Sequence, residues 1–155
     1  MKKFQISGLV VGLFTLALAL PVGSQPINTS LARNFRPDPV RMEGTAGGNV
    51  SFTSLAGIDV KCRGFAGSQP NHVIELTANF PMLDILAYTG NVNTDLTMLV
   101  KGSNGLVICA DDENQRRNPQ LSRRLPQGTY QIWVGNSEQN KSAPYSLTFS
   151  ESPQK

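Results

Sequence analysis

One histidine, two cysteines and one tryptophan are spread over 155 residues, and charged side chains make up only 16% of the chain. Each shortage closes off a kind of chemistry. With His72 alone, no His-x-x-x-His or His-Glu-x-x-His zinc spacing exists, and no Cys-x-x-Cys replaces it. A general base of the usual kind would have to be His72, which follows Gln69-Pro70-Asn71 just before an apolar run and reads as an exposed turn residue. The glycine-rich Gly44-Thr45-Ala46-Gly47-Gly48 lacks the lysine that completes a phosphate loop. No stretch of the exported part sustains an apolar period of 3.6, which argues against helices. No internal repeat of fixed period appears, which excludes a solenoid or propeller. These absences point away from an enzyme.

One long apolar run is present. Gly8 to Leu20, interrupted only by Thr15, follows Lys2 and Lys3 and is ended by Pro21 and Gly23. It falls short of the roughly 20 residues that cross a bilayer as a helix. The pattern is that of a signal peptide, residues 1–24, cleaved after Ser24, with Ala17-Leu18-Ala19 as a competing site. No cysteine follows it to carry lipid, so no stable membrane anchor is expected, and the mature protein is placed in the periplasm or outside the cell. Its 131 residues suit one domain. Losing Lys2 and Lys3 brings 14 basic residues down to 12 against 11 acidic ones, a balance that offers nucleic acid no electrostatic grip. Export also sets the redox setting. Cys62 and Cys109 read as one disulfide, the alternative being two buried thiols. Closing that loop would stabilise the fold by about 4 kcal/mol in the chain-entropy model.

Residues 25–39 carry Pro26, Pro37 and Pro39 with no apolar period, and read as a flexible N-terminal arm. Beyond it, short apolar runs separated by Gly, Asn and Pro predict an all-β sandwich or barrel. Strands are expected over Asn49–Leu55, Val73–Ala78, Leu83–Tyr88, Asp95–Lys101, Gly105–Ala110, Thr129–Gly135 and Tyr145–Ser150. Lys101-Gly102-Ser103-Asn104-Gly105 supplies a turn between the fourth and fifth. The last two strands alternate cleanly, burying Tyr130, Ile132 and Val134 and then Tyr145, Leu147 and Phe149, and are expected to pair as a C-terminal hairpin.

Three places could hold a ligand. Asp111-Asp112-Glu113-Asn114, joined by Asp95 from a neighbouring strand end, could offer carboxylate oxygens to calcium, or be a solvated acidic loop. It lacks the central glycine and distant Glu of an EF-hand loop. Arg116-Arg117 and Arg123-Arg124 could converge as an anion patch, although acids close by favour local ion pairing on a solvated loop. Alternation places Trp133 on the face opposite Tyr130 and Ile132, where it either stacks on a sugar or partner or is covered by the arm or a loop; cover is the favoured reading.

Cys62-Arg63-Gly64-Phe65, Pro70-Asn71-His72-Val73, Asp95-Leu96-Thr97, Cys109-Ala110-Asp111-Asp112 with Asn118-Pro119, and Gly128-Thr129-Tyr130-Gln131-Ile132-Trp133-Val134-Gly135 with Tyr145-Ser146-Leu147 follow one another in order. In this order the chain resembles the bacterial pre-peptidase C-terminal domain over residues 40–151, leaving 152–155 as a tail. The resemblance implies a jelly-roll-like antiparallel β-sandwich of about seven or eight strands. Such domains are usually appended to secreted peptidases, where they are removed on maturation, assist secretion or bind a substrate such as collagen; here no peptidase domain accompanies it. Calcium-binding relatives take ligands partly from an acidic segment before the sandwich, which in this chain offers Asp38 and Glu43, while Asp111 and Asp112 match the acid-rich loop.

The expectation is therefore an exported, non-catalytic binding or accessory module. It would hold an extracellular or periplasmic protein or polysaccharide through Trp133, Arg116 and Arg117, with calcium at Asp95, Asp111 and Asp112 as its one candidate cofactor. The alternative is an envelope spacer without a specific ligand.

Overall fold

A computed structural model describes residues 27–57, 62–112 and 117–155. The signal-peptide segment 1–24, Glu113, Asn114 and Arg116 lie outside the described residues. In chain order the elements are β1 (Ile27–Leu31), β2 (Val40–Gly47), β3 (Val50–Ser51), α1 (Phe52–Ala56), β4 (Phe65–Ala66), β5 (His72–Leu76), β6 (Phe80–Tyr88), β7 (Leu96–Gly102), β8 (Val107–Ala110), β9 (Gln120–Leu125), β10 (Gly128–Asn136) and β11 (Ser142–Ser150). They form two sheets, and the fold is an all-β sandwich.

The two best-patterned strands do not pair with each other. Strand β10 lies in one sheet between β7 and the strands β5 and β4, whereas β11 lies in the other between β2 and β6. The expected C-terminal hairpin is thus corrected. Two strands with one apolar face each can bury those faces side by side in one sheet or against each other across a core, and alternation is the same in both cases. Here Tyr130, Ile132 and Val134 join Tyr145, Leu147 and Phe149 in one buried cluster with Ile74, Leu83 and Met98. The turn between β7 and β8 is as expected: Gly102 N–H donates to Leu106 O at 2.8 Å, Gly105 takes φ +81°, and Met98 to Lys101 pair with Ala110 to Val107.

The described part of the N-terminal arm is tied down, against the expectation of a flexible segment. Strand β1 pairs in parallel with β5, from Ile27 opposite His72 to Leu31 opposite Leu76. Leu31 is 2% exposed, and Arg33 and Asn34 both reach the Glu151 carboxylate, at 2.6 and 2.8 Å. Main-chain pairing with β5 and the buried Leu31 hold this strand. Strands β2 and β9 also escape sequence reading. Only Met42 and Ala46, and Leu121 and Leu125, are fully buried on these edge strands.

Asn49–Leu55 was expected as one strand and is instead β3 followed by a short helix. Ser51 Oγ accepts from Ser54 N–H at 3.2 Å to start α1, and Gly57 at φ +70° ends it. Phe52 and Ala56, four apart, point the same way and build a second core with Cys62, Ala66, Leu99 and Trp133. The Cys62–Cys109 disulfide closes this core against β8, with Cα atoms 5.6 Å apart.

Candidate functional site

Trp133 faces away from the main core, as alternation requires, yet it is only 5% exposed. Its cover comes from α1 and the segment around Cys62, not from the N-terminal arm. This agrees with the favoured reading of a covered indole and takes Trp133 out of the binding surface drawn from sequence: it has no free face on which a sugar or side chain could stack. Its ring N–H is buried without a hydrogen-bond partner among the described residues. Arg117 is exposed at positive φ, 57°. Arg123 and Arg124 belong to β9, not to a loop, and consecutive strand positions point to opposite faces, so they do not converge. Among the described residues none of these three makes an ion pair, while Arg116 and Glu113, the other members of the expected local pairing, lie outside the described residues.

The three aspartates meet. Asp95 stands just before β7, and Asp111 and Asp112 just after β8. Because the two strands are antiparallel, with Met98 opposite Ala110, the start of one and the end of the other fall at the same end of the sheet. One carboxylate oxygen from each lies within 4.8 Å of the others. Asp95 Oδ1 is buried with no hydrogen-bond partner among the described residues. A hard cation wants several oxygens at 2.3–2.6 Å, and three carboxylates can supply up to six, so the donor set fits calcium.

His72 is not the exposed turn residue expected from the sequence. It starts β5, is 1% exposed, and its Nε2 lies 2.7 Å from Tyr145 Oη with the rings edge to face. Burial lowers its pKa from 6.5 to about 4 and pushes the Tyr145 hydroxyl well above its ordinary value. The pair spans the two sheets, β5 in one and β11 in the other. Sequence reasoning missed this because the signal was divided between two distant strands.

A buried acid was missed altogether. Asp84 on β6 is 0% exposed, although its neighbours Leu83 and Ile85 face the core and direct it to the other side of the sheet. Gln120 Nε2 donates to both of its oxygens at 3.1 and 3.0 Å, and Gln154 Nε2 donates to Oδ1 at 3.1 Å. Beside it opens a cavity of about 420 Å³, lined by Asp84, Cys109, Gln120, Leu121, Ser122 and Pro153.

Fold and sites together define a disulfide-braced β-sandwich whose polar features sit on strand ends and sheet faces. No family model and no curated protein matches the chain. Among solved structures it is similar to the pre-peptidase C-terminal domain of collagenase from Bacillus anthracis, crystallised to 1.0 Å. The two share 10% identity and a TM-score of 0.49, over 83% of this chain and 99% of that one.

Proposed function

We propose that the chain is an exported, non-catalytic accessory module that holds a protein or polysaccharide outside the cytoplasm. The observation that carries this reading is the fate of its reactive side chains. The single histidine is used up under Tyr145 as a neutral core residue, and both cysteines are spent on one cross-link. The disulfide agrees with an oxidising compartment. Intact mass of the protein recovered from periplasm and medium should show loss of residues 1–24 and an oxidised Cys62–Cys109 pair. A full-length reduced chain confined to the cytoplasm would overturn the reading. In a broad hydrolase screen, turnover that His72→Ala abolishes would do the same.

On this reading Asp95, Asp111 and Asp112 would hold calcium, tying the start of β7 to the end of β8 and offsetting the charge of three neighbouring carboxylates. A cation that binds only the folded state stabilises it by about 2.7 kcal/mol at a hundred times its dissociation constant. Calcium should raise the melting midpoint and a chelator reverse it, and the Asp111→Ala, Asp112→Ala double variant should respond to neither. An unchanged midpoint in the native chain would remove calcium from the proposal. Arg117, exposed beside this loop, remains the cation to test: Arg117→Ala should weaken capture of an envelope or extracellular partner without changing the melt.

A further inference from the structure

We infer that the cavity beside Asp84 is a receptor for a planar organic cation, the guanidinium group of an arginine on a partner polypeptide. It rests on the accessory-module reading only in taking the partner to be a polypeptide. Ser150 and Ser122 lie directly opposite Asp84 on the strands to either side, so the three form a row on the face of the sheet turned away from the core. The chain then folds back over that row. Ser152 N–H donates to Ser150 Oγ at 3.0 Å, Gln154 Nε2 donates to Asp84 O at 3.2 Å, and Gln120 Nε2 donates to Gln154 O at 3.1 Å.

Every described group that meets the Asp84 carboxylate is therefore neutral, and it makes no ion pair with any described Lys or Arg. A carboxylate taken out of water is normally matched by a cation. Here two amide side chains stand where that cation would be, giving N–H donors to the carboxylate oxygens as a guanidinium would. Gln154, in the C-terminal tail and not fully buried, is the amide that a ligand would displace. The cavity walls also suit this cation over an ammonium. Leu121, Pro153 and Ala110 give apolar surface for the flat faces of a weakly hydrated ion, while Ser122 adds a polar group.

The test uses the oxidised full chain and N-acetyl-argininamide, followed by the side-chain amide signals of Gln120 and Gln154 in NMR. Both should shift saturably at millimolar ligand. The citrulline analogue, equal in shape but uncharged, should bind at least tenfold more weakly, and the lysine analogue should also bind more weakly. Asp84→Asn, which keeps the side chain's shape, should abolish the shift, whereas Gln154→Ala should tighten binding by removing the competing amide. No saturable shift, or equal binding of the citrulline analogue, overturns the inference in the native protein without recourse to a variant. Unchanged binding by a folded Asp84→Asn protein, or lysine binding as well as arginine, would overturn it too. Because the probe is a single amino-acid derivative, its failure is separate from any failure to capture a partner.

Discussion

Held against Tyr145 and cut off from water, His72 stays neutral in the folded protein, while in the unfolded chain it takes up a proton near its ordinary pKa. The folded value, about 4, lies below the unfolded 6.5, so in the window between them the unfolded state binds more protons. Stability is accordingly full above pH 6.5 and falls with pH down to about 4, by about 3 kcal/mol in all. Chemical denaturation at pH 7 and at pH 4.5 should show this loss, and the double variant His72→Leu, Tyr145→Phe should lack most of it. Tyr145→Phe alone leaves the imidazole without its partner and should cost about 1–3 kcal/mol at pH 7. Nothing in Gln69-Pro70-Asn71-His72 betrays this role. A turn motif sets the local backbone, whereas burial depends on which strand of the opposite sheet lies above.

Among the elements, α1 and β10 show how a second core is made from a strand's outer face. Trp133 is the one tryptophan, so its fluorescence reports on this core alone. Emission should be shifted to the blue and resist iodide quenching, and an emission like that of free indole would contradict the packing. Gly135, two positions on, must be glycine: a Cβ there would come within 2.7 Å of the Phe52 ring and of Phe65 O. Gly135→Ala should destabilise by about 1–3 kcal/mol through this overpacking. Reducing the disulfide frees the segment that carries Cys62 from β8. The loop it closes is worth about 4 kcal/mol, or roughly 15 °C in the melting midpoint. Comparing melts of the oxidised chain with the Cys62→Ala, Cys109→Ala variant measures it. Alternation told which way Trp133 points; it could not tell that a five-residue helix would cover it, because Phe52-Thr53-Ser54-Leu55-Ala56 has too few turns to show a period.

Across the whole molecule, β1 is the feature that most changes how the chain is seen, since it turns the described part of an expected arm into an edge strand parallel to β5. Amide hydrogen exchange should find the backbone of Thr29 and Leu31 protected like β5, where a free arm would exchange at the rate of an unfolded peptide. Leu31→Ala should cost about 2–4 kcal/mol. The places of β5 to β8, β10 and β11, the β7–β8 turn, the apolar faces of β10 and β11 and the pairing of the two cysteines were determined by the sequence itself. All of them follow from local periodicity, turn chemistry or the small number of thiols. The assignment of β10 and β11 to separate sheets, the His72–Tyr145 pair, the cover over Trp133 and the shell around Asp84 were decided only in the tertiary structure. Each depends on contacts between residues far apart in the chain, where a side chain's surroundings come from whichever strand the sandwich brings against it.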